Sequence, residues 1–418
     1  MSIPFAALGL SQDLVRSIMY AGFQQPTPVQ ERTIPVILKG KDVIVQAKTG
    51  TGKTASFALP VLQILQSSFQ GNKKVIKALV LAPTRELAMQ VAHAFKEYAR
   101  PLTHTLRMIT LIGGLNIDLQ IRNLHHGADI AVATPGRLLD LIKRGSVNLS
   151  ALDILVIDEA DKMFDMGFAD ELNAVLKGLP VKRQNLLFSA TIPEKVIHLA
   201  RTFMQDPVHI KDEESVLPAE HIHQRALEVN RNNRGPLLRH LIEAEKWGQT
   251  LIFVASVRDA DILVVKLIKA GIKANAFHGG LTQAQRIQVF KDFKNKDFKV
   301  LVATDIAARG IDIQNLPCVV NYDLPRSPND YIHRIGRTAR AGQKGMAVSF
   351  IGHEDRAHFL LIEKRMRMRL PRESVQGFEL TGEALPKTKG MAPVKGFRMS
   401  KKDKARVLAG LPSRRLIQ

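Results

Sequence analysis

An eight-residue segment, AKTGTGKT at positions 47–54, has the residue types and spacing that hold a chain of phosphates. Gly50 and Gly52 let the backbone turn its N–H groups toward phosphate oxygens, and Lys53 adds a positive charge. The apolar run VIVQ precedes the segment and a helix-like stretch follows it, so a helix N-terminus would also face the anion. Together these features predict a phosphate-binding loop in which Thr54 ligates Mg²⁺, with Ala47 where the first glycine is usual. The residues expected to form the loop are Ala47, Lys48, Thr49, Gly50, Thr51, Gly52, Lys53 and Thr54.

Two carboxylates, Asp158 and Glu159, follow the apolar run ILVI at 154–157. Ligands bind at the carboxyl ends of strands in open α/β sheets, so both acids are expected beside the phosphate loop. Asp158 is suited to hold Mg²⁺, and Glu159 to orient or deprotonate an attacking water. Taken alone, the pair could be the acidic first turn of a helix, but beside a phosphate loop it indicates hydrolysis of a nucleoside triphosphate.

Short apolar runs followed by helix-like stretches would position these groups. Apolar strands that alternate with helices indicate parallel sheets covered on both faces. The pattern occurs twice, which predicts an α/β fold with two tandem doubly wound domains. The predicted strands are Asp42–Gln46, Ala78–Ala82, Asp129–Ala133, Ile154–Ile157, Leu186–Phe188, Thr250–Val254, Ala274–Phe277, Val300–Ala303, Val319–Asn321 and Met346–Phe350.

A charged segment between Pro207 and Pro218 interrupts this pattern and separates the two halves of the chain. We expect a first domain at 1–208, a linker at 209–222, a second domain at 223–370 and a short basic tail at 371–418. From Ala384 onward the tail contains ten Lys and Arg and one Asp, a composition typical of a flexible segment.

The formal net charge of the chain is +21, from 60 Lys and Arg against 39 Asp and Glu, which favours a polyanionic partner, and membrane surfaces and nucleic acids both qualify. A basic surface without such a partner is the alternative that charge alone leaves open. Cys318 is the one cysteine, which excludes an internal disulfide and a cysteine-rich metal site. No apolar run reaches the ~18 residues of a membrane span, and the first residues do not have the pattern of a signal peptide. We therefore expect a cytoplasmic protein without a membrane partner.

The acidic motif spells DEAD at 158–161, and further motifs follow in order along about residues 3–370. In these features the chain resembles the DEAD-box ATP-dependent RNA helicases of superfamily 2. The continuation DEADKMFDMGF and the short basic tail are similar to compact bacterial RhlE-like members. The resemblance implies two RecA-like domains and RNA-stimulated ATP hydrolysis coupled to domain closure. It also implies local unwinding of short RNA duplexes and remodelling of RNA or RNA–protein complexes.

The same resemblance implies contacts with ATP outside the phosphate loop. The segment GFQQPTPVQ at 22–30 is similar to the family's adenine-binding motif, in which Gln30 would pair with the base. Phe5 would stack on the base, although an ordinary core position is the alternative. Asp312 would contact the ribose.

The segment HRIGRTAR at 333–340 resembles the motif that carries the family's arginine fingers. Arg334 and Arg337 would reach the γ-phosphate, and Arg340 would support the site. Arginine stays charged and its planar fork matches phosphate geometry, whereas a solvated helix face is the alternative. A further motif, SAT, would link hydrolysis to strand separation through hydroxyl contacts with the acidic motif. Its residues are Ser189, Ala190 and Thr191.

Motifs in both halves resemble the family's RNA contacts, which hold the sugar–phosphate backbone and carry no base-sequence information. Helix capping or a tight turn is the alternative for the motifs of the first half. The residues expected to contact RNA are Pro83, Thr84, Arg85, Gly113, Gly114, Thr134, Pro135, Gly136, Arg137, Gln283, Arg286 and Thr304.

Two other functions stay open beside that of an RNA helicase. An ATP-gated RNA clamp would turn over ATP without displacing a strand. A DNA helicase is disfavoured by the adenine-binding motif and by the DEAD sequence itself. Protein partners in ribosome assembly or RNA decay are open, and the sequence does not imply an oligomer.

Overall fold

The computed structural model describes residues 4–47, 50–68, 75–212, 222–308, 313, 316–339 and 345–382. Within these residues the two halves of the chain each form one seven-stranded sheet, and the strand pairs of both sheets are parallel. Helices pack on both faces of each sheet. The predicted α/β class with two doubly wound domains is confirmed. No helix of the described part is both long and apolar enough to cross a membrane.

The strands of the first sheet are β1 (Val43–Gln46), β2 (Ala78–Leu81), β3 (Met108–Leu111), β4 (Ile130–Ala133), β5 (Ile154–Ile157), β6 (Gln184–Ser189) and β7 (Val208–Lys211). Those of the second are β8 (Ile222–Glu228), β9 (Thr250–Val254), β10 (Ala274–Phe277), β11 (Val300–Thr304), β12 (Cys318–Asn321), β13 (Gly345–Ile351) and β14 (Arg372–Glu373). The helices are α1 (Gln12–Tyr20), α2 (Pro28–Leu38), α3 (Lys53–Ser67), α4 (Arg85–Ala99), α5 (Ile117–His125), α6 (Pro135–Lys143), α7 (Ala160–Asp165), α8 (Ala169–Lys177), α9 (Glu194–Phe203), α10 (Arg234–Ala244), α11 (Val257–Lys269), α12 (Gln283–Lys294), α13 (Asp305–Ala308), α14 (Pro328–Ile335) and α15 (Arg356–Met366).

The strand order of the first sheet, β3-β4-β2-β5-β6-β1-β7, determines which motifs become neighbours. Strand β6 lies between β5 and β1, with Ser189 opposite Gln46. Parallel strands end at the same edge, so the phosphate loop, the acidic pair and Ser189 emerge side by side. Strands β2, β3 and β4 end on the other half of this edge, ahead of the motifs expected to contact RNA.

Both faces of the first sheet are buried. Val43 and Val45 belong to the hydrophobic core on one face, and Ile44 belongs to the core on the other. This burial explains why the central strands are continuous apolar runs. In the second domain, Cys318 begins β12 inside a core, and burial raises the pKa of its thiol.

The sequence pattern does not reveal strands β3, β7, β8 and β14. Three of them lie at sheet edges, and β7 buries only one of its four residues. The domain boundaries stay predictions, and the two sheets extend a few residues beyond them. Strand β7 extends the first sheet to Lys211, β8 begins the second at Ile222, and β14 adds Arg372–Glu373 beyond the predicted end at 370.

Candidate functional site

The phosphate loop is held against the segment at 22–30 by a set of short contacts. Thr27 and Gln30 form a capping box on α2, and the Thr27 hydroxyl donates to the carbonyl of Thr51 at 2.7 Å. The amide nitrogen of Gln30 donates to the carbonyl of Gly52 at 3.1 Å. Gly52 has a φ of +87°, and a Cβ on it would lie 2.3 Å from that amide nitrogen. Only glycine therefore suits this position.

Three charged atoms meet beside the loop without hydrogen-bond partners among the described residues. They are Lys53 Nζ, Asp158 Oδ1 and Glu159 Oε2, and all are buried. Burial raises the pKa of Asp158 to about 6, although Lys53 opposes the shift. A buried charge without a partner is costly, so this cluster marks a place where a charged ligand completes the structure.

Glu159 is held in an unusual backbone conformation, with φ +53° and ψ +50°, at the start of α7. This left-handed conformation is strained for a residue with a side chain, and such strain concentrates at functional sites. The Glu159 Oε1 accepts from the ammonium of Lys162 at 2.7 Å. Burial would raise the pKa of Glu159, but Lys162 and Lys53 outweigh it and hold the pKa below its ordinary value. The carboxylate is therefore ionised near neutral pH.

The last acid of the motif, Asp161, connects α7 to the end of β6. Its Oδ2 accepts from the Thr191 hydroxyl at 2.7 Å and from the Thr191 N–H at 2.9 Å. The Ser189 hydroxyl accepts from the Asp161 N–H at 3.1 Å. Burial would raise the pKa of Asp161, but the hydrogen bonds from Thr191 and Ser189 hold it below its ordinary value. The expected hydroxyl contact between the SAT and DEAD motifs is present.

A cavity of about 360 Å³ lies between the two domains at this edge. It is lined by Asp161, Lys162, Asp165 and Thr191 of the first domain, and by Phe253, Asp305, Ser327, Asp330, His333, Arg334 and Arg337 of the second. Arg337 is close enough to contribute to the lowered pKa of Glu159. Burial and the nearby Lys162 lower the pKa of His333 to about 4, so its imidazole is neutral near pH 7.

Arg334 is bound within its own domain. Its guanidinium forms a two-pronged ion pair with Asp305, with N–O distances of 2.6 and 2.8 Å. Its remaining nitrogen donates to the Asn321 side chain at 3.0 Å and to the Asp323 carbonyl at 2.7 Å. The guanidinium also stacks over Phe253. In this structure the hydrogen-bonding fork of Arg334 is filled by these partners, and a contact of Arg334 with a γ-phosphate stays a prediction.

On the other half of the sheet edge, Arg85 lies against the Gly113–Gly114 turn. Gly114 has a φ of +77°, and a Cβ on it would lie 2.2 Å from the Arg85 guanidinium, so the pair of glycines makes room for the arginine. Arg137 donates twice to the Leu115 carbonyl, at 3.2 Å each. Burial lowers the pKa of Arg137, and Arg85 adds to the effect. Two cations therefore share this surface.

The two domains contact each other directly beside these cations. Glu86 accepts from the Gln283 amide at 3.0 Å and pairs with Arg286 at 3.1 Å. Arg85 donates to the Gln283 side-chain oxygen at 3.3 Å. Gln283 and Arg286 were expected to face RNA, but in this structure they bind the first domain. An RNA contact for either residue stays a prediction.

Two family models match the chain. The one described as DEAD/DEAH box helicase matches residues 27–199, and the one described as helicase conserved C-terminal domain matches residues 234–342. ATP-dependent RNA helicase CshA of Listeria monocytogenes serovar 1/2a is 40% identical over 366 residues, 88% of this chain and 69% of that protein. CshA of Bacillus subtilis strain 168 is 40% identical over 372 residues, 89% of this chain and 74% of that protein.

The chain belongs to the DEAD-box family of ATP-dependent RNA helicases. Solved helicase structures have the same fold. Saccharomyces cerevisiae Dbp5 bound to RNA and ADP BeF3 is 32% identical with a TM-score of 0.79, covering 89% of this chain and 95% of Dbp5. Mss116p bound to ssRNA and AMP-PNP is 29% identical with a TM-score of 0.80, covering 90% of this chain and 80% of Mss116p. The two sheets are therefore tandem RecA-like domains. The RhlE-like subgroup stays a prediction, because these two curated relatives carry the name CshA.

Some predicted site residues of this DEAD-box helicase lie outside the described part of the chain, and one lies within a hydrophobic core. Lys48, Thr49, Asp312 and Arg340, and the tail from 383 onward, lie outside the described residues. Phe5 is 3% exposed and belongs to the first hydrophobic core, as the alternative of an ordinary core position expects. Stacking of Phe5 on adenine stays a prediction.

Gln30 is fully buried, and both ends of its amide are bonded within the protein. Adenine recognition by Gln30 stays a prediction. Thr54 is half-buried in the first turn of α3, and Thr304 is half-buried where β11 ends. The remaining predicted residues, Pro83, Thr84, Thr134, Pro135, Gly136 and Ala190, lie at the carboxyl edge of the first sheet.

Sequence reasoning missed Lys162, His333, Glu86 and Asp305. Lys162 was detectable in principle, because a lysine three residues after Glu159 shares its helix face. The partners of Glu86 and Asp305 come from distant parts of the chain, so no local signal identifies them.

Proposed function

We propose that this helicase hydrolyses ATP in a composite site that is complete only when its two domains meet. The interdomain cavity supports this proposal, because it joins the acidic motif of the first domain to the arginines of the second. The unpartnered charges of Lys53, Asp158 and Glu159 give the substrate a place to bind. A triphosphate would provide the counter-charge that Lys53 needs.

In this site Lys53 binds the β- and γ-phosphates. Asp158 and the Thr54 hydroxyl would hold Mg²⁺, an ion that takes oxygen ligands from one or two protein groups and from substrate phosphates. The buried and unpartnered Oδ1 of Asp158 suits that role. When bound, the ion would neutralise phosphate charge. Glu159, which is ionised, orients the attacking water and accepts its proton.

Arg337 is the arginine finger of this proposal. It lies across the cavity from the acidic motif, and it influences Glu159 electrostatically. Arg334 instead positions this wall of the cavity by joining Asp305, Asn321 and Asp323. Because the finger and the acids belong to different domains, the rate of hydrolysis depends on domain closure.

RNA binding would favour the same closed state, because the predicted RNA contacts are also divided between the domains. Two ligands that favour one state bind cooperatively, and the coupling is reciprocal. The contacts would be made to the sugar–phosphate backbone, and 2′-hydroxyl groups would distinguish RNA from DNA. Domain closure that bends one RNA strand would displace the strand paired with it. Ser189 and Thr191, which contact the acidic motif, would couple ATP hydrolysis to this displacement.

The test measures ATP turnover and strand displacement in one reaction, with a short RNA duplex and with a DNA duplex of the same sequence. We expect RNA to stimulate ATP hydrolysis and the RNA duplex to be separated. Glu159→Gln should lower both activities about 10²- to 10⁴-fold while ATP binding remains. RNA-stimulated turnover without displacement would indicate a clamp, and equal activity on the DNA duplex would contradict RNA selectivity.

We also propose a cytoplasmic location and a tethering role for the basic tail. The lone buried cysteine suits a reducing compartment.

The charge of +9 from residue 384 onward would anchor RNA without sequence preference. Removing residues 384–418 should reduce the salt dependence of RNA affinity. Crosslinking to cellular RNA would distinguish ribosome assembly from RNA decay.

A further inference from the structure

We infer that Lys162, the residue directly after the DEAD sequence, is a positioning residue for ATP hydrolysis. Its ammonium anchors one oxygen of the Glu159 carboxylate and leaves the other for the attacking water. The inference rests on the proposed function, which gives Glu159 the task of orienting that water.

The geometry of the pair is specific. Lys162 Nζ lies 2.7 Å from Glu159 Oε1, and the two side chains are 7% and 5% exposed. Glu159 Oε2 has no hydrogen-bond partner among the described residues. The two residues are three positions apart at the start of α7, so the contact is internal to the first domain and does not require domain closure. Glu159 is thus oriented before ATP or RNA arrives.

A purely stabilising role explains Lys162 poorly. It is the third residue of the six-residue helix α7, so it lies near both helix ends and the helix dipole does not account for a lysine there. Burial lowers the pKa of its ammonium, Glu159 opposes this shift, and the neighbouring cations Arg337 and Lys53 add to it, so that the net pKa is lowered. Buried ion pairs are also weak contributors to stability. A lysine that is buried at such a cost beside the glutamate of the DEAD motif is typical of a functional site.

The expected effect follows from fixing one end of a mobile carboxylate. A free glutamate side chain rotates among several rotamers, whereas an anchored one presents Oε2 in a single direction. Misplacement of a reacting group by about 1 Å can cost about 10²-fold in rate. The loss should appear in kcat and not in KM, because Lys53 and the phosphate loop do not depend on Lys162.

The experiment compares Lys162→Met, which keeps the length of the side chain, with Lys162→Arg, which keeps its charge. In the full chain with saturating RNA, we expect Lys162→Met to lower kcat about 10- to 100-fold with KM for ATP changed less than about twofold. Lys162→Arg should restore part of the rate, with a kcat at least about fivefold higher than that of Lys162→Met. Lys77→Met is the matched control, because Lys77 makes a 3.0 Å pair with Asp153 on the surface, where the side chains are 39% and 52% exposed. Its kcat should equal that of the wild type.

A double-variant cycle separates positioning from folding. If Lys162 acts through Glu159, then Glu159→Gln with Lys162→Met will be as slow as Glu159→Gln alone. The double variant has neither the buried Glu159 carboxylate nor the buried Lys162 ammonium. If Lys162→Met alone unfolds, kcat of the double variant is still compared with kcat of Glu159→Gln. Thermal unfolding and binding of a fluorescent ATP analogue verify that each variant is folded and binds nucleotide.

Wild-type kcat in a folded Lys162→Met variant, or rate losses that multiply in the double variant, would overturn the inference. A Glu159→Gln variant that keeps wild-type kcat would instead contradict the proposed function itself.

Discussion

The two halves of the interdomain junction hold their charges in opposite ways. One half carries the phosphate loop and is called the nucleotide half; there Lys53 and Asp158 have buried charged atoms without partners among the described residues. The other half is called the RNA half after the contacts predicted there; on it, Glu86 is paired with Gln283 and Arg286 across the domains. The first arrangement needs a ligand to complete it, whereas the second already joins the domains. The proposed binding of substrate and the observed contact between the domains therefore belong to separate clusters of the same edge.

The largest expected effect tests the nucleotide half. Arg337→Ala should lower RNA-stimulated kcat by about 10³-fold, because an arginine finger stabilises charge that develops only in the transition state. Binding of ATP should change little. Arg258→Ala is the control, since Arg258 is exposed on α11. A loss of less than about tenfold in the Arg337 variant would remove Arg337 from the catalytic site.

Arg334 should behave differently from Arg337, although both belong to one motif. Arg334→Ala leaves Asp305 without its ion-pair partner and should destabilise the second domain by about 3–5 kcal/mol. Arg334→Lys should recover little, because an ammonium cannot reproduce the two-pronged contact. Denaturant unfolding followed by Trp247 fluorescence measures this directly, since Trp247 is the one tryptophan and is buried in the second domain. Destabilisation below about 1 kcal/mol would favour the finger role expected from the sequence.

On the RNA half, Glu86→Ala should weaken the coupling between the two ligands. Its side chain joins the domains through Gln283 and Arg286, so its loss makes the closed state less favourable. We expect the ratio of RNA affinities with and without a non-hydrolysable ATP analogue to fall about tenfold. Glu97→Ala, at a half-exposed position on the same helix α4, should leave the ratio unchanged. An unchanged ratio in the Glu86 variant would show that these contacts do not contribute to closure.

The smallest effect concerns pH. The unfolded chain protonates His333 below about pH 6.5, whereas the folded chain does so only near 4. His333 therefore contributes stability above pH 6.5 that is lost as the pH falls toward 4. Asp158, with its pKa raised to about 6, increases the stability of the folded chain as the pH falls. The contribution of His333 is therefore measured as the difference between wild type and a variant that lacks the histidine. Between pH 7 and 5.5, wild type should lose about 1 kcal/mol more than His333→Gln. Equal losses would place His333 in a more hydrated environment.

The contrast between the two halves also explains what the sequence could predict. The phosphate loop, Asp158 and Glu159 follow directly from apolar strands, because parallel strands place their carboxyl ends together. Arg334 and Arg337 cannot be distinguished locally, since three separate segments supply the groups that bind Arg334. The pairing of Arg286 with Glu86 depends on how two domains meet, which no local pattern encodes.

The buried thiol of Cys318 has a practical consequence. Maleimide dyes react with accessible thiolates, whereas Cys318 is 1% exposed and its thiol has a raised pKa. Cysteines introduced at one surface position of each domain should therefore be labelled while the native one stays unmodified. Energy transfer between two such dyes would report domain closure in single molecules of the otherwise unaltered chain.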